Sequence, residues 1–207
     1  AFAHASHAVG EIGFGISVGQ SIDNSGTVML AGNASAVAAS GLANAGANLV
    51  AALAQSGTGT VIGQAILNSG SIMVAASAMA SAGQTALALA NGARVLQQIG
   101  NGAMVDQLVE NSGSITLVDT AKASADALAR AGANAGSRVA ASVVQQFAFG
   151  SDIGQSMTNS GKILAMVEAS AVARGTAIAT RSGGSVFGGQ ASASVEAIGI
   201  SQAAIGR

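Results

Sequence analysis

The chain has 207 residues, with eight Lys or Arg and nine Asp or Glu, so its net charge is −1. Only 8% of residues are charged and 2% are aromatic, and Pro, Cys, Trp and Tyr are absent. There is no basic block or aromatic platform for a nucleic acid, and polar residues interrupt every apolar run before it could cross a membrane as a helix, so we expect neither nucleic-acid binding nor a transmembrane segment.

Small residues must fill the core of this protein. Hydrophobic residues reach 50% although the large aromatic anchors of an ordinary core are nearly missing, and 29 residues are Gly. Alanine and glycine pack densely only where backbones approach closely, as in stacked sheets or tightly packed small-residue helices. The choice between these folds depends on the periodicity of the sequence.

The first segment contains two patterns that could suggest chemistry. His4 and His7 are three residues apart, and on a strand they would face opposite sides, which disfavours a metal pair. Gly10, Gly13 and Gly15 form Gly-x-Gly fragments, but no Gly-Lys-Ser/Thr follows them. We therefore predict no metal, cofactor or phosphate site here.

One motif occurs four times along the chain: Gln, any residue, an aliphatic residue, any residue, Asn-Ser-Gly, any residue, and Ile or Val. The spacing between successive asparagines is 44, 43 and 48 residues. Such self-similarity is typical of repeat architectures. We interpret residues 1–207 as a single array with repeats starting near 19, 63, 106 and 154 and with incomplete repeat halves at both ends.

A segment that alternates with period two follows each motif. In the clearest one, alanine occupies every odd position from Ala121 to Ala135, and mostly polar residues occupy the even positions. This alternation is the pattern of a strand with one apolar face. The alternative is helical, because alanine is the best helix former and residues 85–99 or 125–147 could be drawn as helices. Against it, the alternation leaves no apolar stripe on a helix.

A second, weaker sequence pattern is a glycine that recurs midway through each repeat, at Gly46, Gly92, Gly136 and Gly184. We interpret it as a glycine turn that divides each repeat into two half-repeats. The predicted fold is therefore all-β: a parallel β-solenoid of about four repeats of 43–48 residues, each of two half-repeats, with a thin core rich in Ala and Gly.

The motif residues have structural roles in such a fold. Equivalent side chains of successive coils stack about 4.8 Å apart, so Asn and Gln amides can bond the amides above and below them. The predicted amide ladders comprise Asn24, Asn68, Asn111 and Asn159, and Gln20, Gln64, Gln107 and Gln155. The predicted turn glycines, which supply a positive φ at the corner, are Gly26, Gly70, Gly113 and Gly161.

No constellation for catalysis is visible. Asp106, Glu110, Asp119 and Asp126 cluster loosely, but matching positions of the preceding repeat, such as Gly63 and Leu67, carry no acid, so we predict solvated side chains rather than a calcium site. The chain has only two histidines, so few residues could supply the base of a Ser/His/Asp triad. We expect no enzyme activity, no catalytic residue and no cofactor.

Asn-Ser-Gly-x-Ile followed by Ala-x-Ala-x-Ala resembles the repeats of bacterial cell-surface β-solenoids, the haemagglutinin-like and autotransporter-passenger proteins. The resemblance implies an exported, fibrous protein that is located outside the cell or on its surface, where it could be attached to the cell. We expect a structural subunit or segment of a filament that polymerises head to tail with itself through open coil ends. The alternative is an adhesin stalk or binding segment of a larger protein, in which outward arginines contact a partner: Arg130, Arg138, Arg174 and Arg181.

Overall fold

A computed structural model describes residues 1–127, 134–175 and 190–206. These residues form β-strands and no helix, which confirms the all-β prediction and shows that the helical alternative is wrong for residues 85–99. The strands are β1 Phe2–Asn24, β2 Thr27–Ala38, β3 Leu42–Asn68, β4 Ser71–Ala82, β5 Thr85–Asn101, β6 Met104–Asn111, β7 Ser114–Ala127, β8 Asn134–Gly150, β9 Asp152–Asn159, β10 Lys162–Gly175 and β11 Gln190–Gly206.

The described strands form two parallel sheets. The first has seven strands, with β3 paired to β1 along its length and, on its other side, to β5 and then to β6. From there the first sheet continues through β8 to β11 and through β6 to β9. The second sheet has the order β10, β7, β4, β2. The prediction of parallel pairing is therefore confirmed.

The registers of the two sheets share the spacing of the sequence motif. Asn24 lies beside Asn68, Asn68 beside Asn111, and Asn111 beside Asn159 in the first sheet. In the second sheet the same steps place Thr27 beside Ser71 and continue through β7 to β10. A slip of one residue would exchange the inner and outer faces of a strand, so these registers keep each side chain on its face.

The main core lies between the two sheets and is built largely of alanine. Inward side chains of β4 and β7 alternate with outward ones, and Ala78, Ala121 and Ala125 have no exposed surface. Aliphatic residues close one side of this core, including Ile72 and Ile115, which stand two residues after the glycine of an Asn-Ser-Gly. The alternating alanines thus face inward where they are described; those at 129, 131 and 133 lie outside the described residues.

The midway glycines do not form turns, and that expectation is wrong for the described ones. Gly46 lies inside β3, and the Phe2 ring occupies the space that its side chain would need, 2.8 Å from an added Cβ. Gly92 lies inside β5, where the carboxylate of Asp119 fills the same space. Gly136 lies inside β8, whereas Gly184 falls outside the described residues. Glycine here gives room to a neighbouring side chain.

The breaks between strands fall elsewhere. Each described passage from the first sheet to the second is the two-residue Ser-Gly of a motif copy. The return is described after β2 and β4, at 39–41 and 83–84. Gly41 has a φ of 88°, which is the left-handed region that glycine tolerates best. A further two-residue break at 102–103 separates β5 from β6, so that repeat contains three strands instead of two halves.

Candidate functional site: the rows of stacked amides

The four motif asparagines form one continuous row of side-chain hydrogen bonds. Asn24 Nδ2 donates to Asn68 Oδ1 at 2.7 Å, and Asn68 Nδ2 donates to Asn111 Oδ1 at 2.6 Å. Asn111 Nδ2 in turn donates to Asn159 Oδ1 at 2.6 Å. Asn24, Asn68 and Asn111 are buried, so the row replaces water as the partner of these amides.

The motif glutamines form a second row, which we call the motif Gln row. Gln64 Nε2 donates to Gln20 Oε1, Gln107 Nε2 to Gln64 Oε1, and Gln155 Nε2 to Gln107 Oε1. Each of these bonds is 2.8 Å long. Each motif glutamine lies on the inner face of its strand, next to the aliphatic residue two positions later, because residues two apart on a strand share a face. These aliphatic residues include Ile22, Ile66 and Val109.

A third row was not predicted from the sequence. Gln98 Nε2 donates to Gln55 Oε1 at 2.9 Å, Gln146 Nε2 donates to Gln98 Oε1 at 2.8 Å, and Gln202 Nε2 donates to Gln146 Oε1 at 2.6 Å. Glu11 ends this second Gln row, since its Oε2 accepts from Gln55 Nε2 at 3.0 Å. The signal was present in the sequence: Glu11, Gln55, Gln98 and Gln146 each stand nine residues before a motif glutamine.

The two Gln rows also bond the main chain of neighbouring strands. Gln98 Nε2 donates to the carbonyl oxygen of Leu108 at 3.1 Å, and Gln64 Nε2 donates to that of Ile99 at 3.1 Å. A group that faces a carbonyl oxygen must be the NH₂ end of the amide, so these bonds fix the orientation of the whole row. The bond from Gln98 to Leu108 thus links the inner faces of the successive strands β5 and β6.

The rows run in opposite directions. Both Gln rows donate toward β1, whereas the Asn row donates away from it. At the β1 end, Gln20 Nε2 is buried and has no hydrogen-bond partner. At the other end, Asn159 Nδ2 donates to the carbonyl oxygen of Gly161 at 3.3 Å. The two ends of the array therefore differ in the donors and acceptors that they present.

The motif glycines are needed for a different reason from the predicted one. None of Gly26, Gly70, Gly113 and Gly161 has a positive φ, so that expectation is wrong. A Cβ added to Gly70, Gly113 or Gly161 would overlap the carbonyl oxygen of the glycine one repeat before it. Successive corners stack too closely for a side chain, whereas nothing lies within 4 Å of an added Cβ at Gly26, at the corner of the first motif copy.

Asp119 is buried, which corrects its prediction as a solvated residue. It lies on the inner face of β7, two residues before Ala121, and has no exposed surface. Burial raises the pKa of its carboxyl group to about 6, and hydrogen bonds from the N–H groups of Ala76 and Gly92 oppose that rise. Its odd number put it on the same face as the alanines, which is the signal that the sequence prediction overlooked.

The other candidates lie apart from this interior. Asp106, Glu110 and Asp126 are exposed, as are His4 and His7. Arg174 is exposed on β10; Arg130 and Arg181 lie outside the described residues, and the side chain of Arg138 is not described. Within residues 1–127, 134–175 and 190–206, no group of three or more His, Cys, Asp or Glu is placed to hold a metal ion. In the same ranges, no helix has the length and apolar character to cross a membrane.

A shallow groove of about 700 Å³ follows the outer side of the motif strands. Its floor is the row Gly19, Gly63, Asp106 and Gly154, so three of four positions carry no side chain. This row carries a single charged side chain, and small residues such as Ser21, Ala65 and Ser156 also line the groove. The regular chemistry of this chain lies inside, in the amide rows.

Comparison with protein-family models, with curated protein sequences and with solved structures finds no match for this chain.

Proposed function

We propose that this chain is a non-catalytic structural element: a parallel β-solenoid of about four repeats of 43–48 residues that forms a segment of an extracellular filament or surface fibre. The observation that carries the proposal is the set of three amide rows, whose bonds run from one repeat to the next. The extracellular location is supported by the resemblance of the Asn-Ser-Gly repeats to those of bacterial surface proteins.

A common register supports the solenoid. The strands β5, β6 and β7 follow one another in the chain. Residues of β5 and β6 pair with residues of β3 that precede them by 43 positions, and residues of β7 pair with residues of β4 at the same separation. A chain that returns to the same place in every sheet after the same number of residues winds around one axis. One repeat is then one coil of three strands.

The rows give this coil stack its mechanical character. An amide that loses one neighbour in a buried row keeps an unpaired donor or acceptor, which costs about 1–3 kcal/mol. Separating two coils would break the backbone ladders and one bond in each row at the same time. We infer a stiff rod whose function is to span distance and bear load, which needs no ligand and no reacting group.

Growth from the ends of the rod is part of the proposal. In the described chain, β1 and β2 each pair with one strand, and β9, β10 and β11 also pair with one strand each. Unpaired strand edges are templates for another chain. The motif Gln row ends in the donor Gln20 Nε2 on β1 and in Gln155 at its other end, so contact between unlike ends matches donor with acceptor. Head-to-tail association repeats without closing and builds a filament.

Electron microscopy of the purified 207-residue chain tests this function. We expect filaments whose growth stops when a charged, proline-containing segment is fused after Arg207, because proline and charge block strand addition. A flexible Gly-Ser segment of equal length is the matched control and should slow growth less. If the chain stays monomeric at high concentration, or if both fusions behave alike, the self-assembling filament is excluded and a stalk segment of a larger surface protein takes its place.

A further inference from the structure

The outer face of the second sheet exposes several large apolar side chains. Four of the six methionines of the chain lie on it, and Met29, Met79 and Val37 are 67%, 46% and 81% exposed. Each strand presents every second residue, so the face consists of rows of equivalent side chains that cross the strands. The rows used below are Met29, Met73, Thr116, Leu164, and Ser35, Met79, Lys122, Ser170.

Charge is confined to one side of this face. The outward residues of β2 and β4 carry none, since residues 24–93 contain no Asp, Glu, Lys or Arg. On β7 and β10, Lys122 Nζ lies 3.3 Å from Glu168 Oε1, so these two charges are paired within the chain. The other outward charges, Asp126, Lys162 and Arg174, lie near the ends of these two strands. The β2–β4 side therefore presents methionine, valine, alanine and small polar side chains only.

We propose that a second copy of this chain packs against this face, with a two-fold axis parallel to the direction in which the strands stack. Two neighbouring strands, β2 and β4, have 12 residues each. A strand of this length spans about 40 Å, and four strands about 4.8 Å apart span about 19 Å. The whole face thus covers roughly 760 Å², close to the roughly 800 Å² per partner of a stable interface, and the charge-free side on β2 and β4 makes up about half of it.

The shape of the face favours a partner with the same surface. A groove of about 390 Å³ runs across all four strands, from Ser35 and Val37 past Met79 to Lys122 and Val172. An axis midway along the strands exchanges the row of Met73 with the row of Met79, so Met29 of one copy faces the groove beside Ser35 of the other. Such a contact is self-complementary, as an isologous interface requires. Rotation about the stacking direction leaves both rods pointing the same way, so pairing is compatible with growth from the ends but does not depend on it.

Crosslinking tests the pairing and its register. The chain has no cysteine, so Met73→Cys and Met79→Cys each introduce one thiol. Within one chain these positions are about 20 Å apart, because they are six residues apart on a strand. Across the proposed axis they face each other. With a bis-maleimide that spans less than about 10 Å, the equal mixture of the two variants should yield crosslinked dimers, whereas either variant alone should yield few.

A charge test separates this face from the rest of the surface. Met73→Lys combined with Met79→Lys should raise the dimer dissociation constant about 100-fold or more in sedimentation equilibrium, because the contact would bury unpaired charges. Leu42→Lys with Leu87→Lys, on comparably exposed residues of the first sheet, is the control and should leave it nearly unchanged. Circular dichroism checks that all variants keep their strands.

Three results would overturn the proposal. The first is a mixture of cysteine variants that crosslinks no better than each variant alone. The second is equal weakening by the lysine variants of both sheets. The third is a chain that shows no lateral dimer but binds neutral phosphatidylcholine vesicles through this face, lost in Met73→Lys with Met79→Lys, since a lipid surface would then be the occupant.

Discussion

The carboxylate of Asp119 accepts a hydrogen bond of 3.0 Å from the backbone N–H of Gly92, which lies in the opposite sheet. The two residues are matched in space, because a Cβ at Gly92 would overlap the carboxylate. Gly92 also stands where β5 and β8 change register, at the irregularity between Gly92 and Arg94. A polar side chain in the alanine core thus supports the N–H of a strand at its irregular point.

The buried carboxyl group predicts that the protein is more stable in mild acid. The pKa of Asp119 is raised from 3.8 to about 6 in the folded state, so the folded state holds the proton over a range where the unfolded state has lost it. Stability is therefore highest below about pH 4 and falls as the pH rises through 6, by up to about 3 kcal/mol. Urea unfolding between pH 4 and pH 7 measures this change.

Asp119→Asn removes the titrating group and should flatten that pH profile between 4 and 7. Asp106→Asn, on an exposed carboxylate, is the control and should leave the profile of the native chain in place. A profile that keeps its full slope in Asp119→Asn would show that other groups cause it.

Loss of one amide from the Asn row should destabilise the fold. Asn68→Ala or Asn111→Ala removes both a donor and an acceptor, and leaves one hydrogen-bonding group unpaired on each of the amides above and below. We expect a cost of about 1–3 kcal/mol in the free energy of unfolding, measured in urea. Ser124→Ala, on an exposed side chain, is the control. Equal effects of the two changes would mean that the row contributes nothing to stability.

The motif glycines allow a test with a control at an equivalent position. Gly113→Ala should cost about 1–3 kcal/mol or more, because its Cβ would overlap the carbonyl oxygen of Gly70. Gly26→Ala should cost much less, since it has the same place in the motif but open space around it. Thermal unfolding of both variants decides the point. Equal losses would favour a requirement for backbone conformation over one for close stacking.

The alanine core predicts a strong effect of added volume. Ala125→Leu places three extra carbons where no surface is exposed, and overpacking of this kind costs about 1–3 kcal/mol. Ser124→Leu changes the exposed neighbour on the opposite face and should be tolerated. Denaturant unfolding compares the two, and a well-tolerated leucine at 125 would contradict an inward-facing, closely packed alanine row.

Much of the fold was visible in the sequence because its pattern repeats. The spacing of Asn68 and Asn111 gave the register, and the alternation around Ala121 gave the inner face. The two-residue period predicts which side chains share a face, but not where a strand ends, so Gly46 and Gly92 were misread as turns. Their need for glycine arises from Phe2 and Asp119, which are distant in sequence and near in space.

The interior was predicted only in part for a similar reason. The Asn-Ser-Gly triplets drew attention to the motif, whereas Gln55 and Gln98 stand in segments without a common signature. Their constant offset of nine residues from Gln64 and Gln107 gains meaning only once β5 and β6 are known to face each other. The strand partners of a residue decide whether a lone glutamine is a surface residue or part of a row.

Stacking of successive repeats through buried amides can be tested most directly by nuclear Overhauser contacts between the side-chain amides of the Asn and Gln rows. Parallel stacking predicts contacts between Asn68 and Asn111 and between Gln55 and Gln98, each pair 43 residues apart in sequence. Contacts confined to residues three or four apart, or an absence of any contact between these pairs in the folded chain, would contradict it.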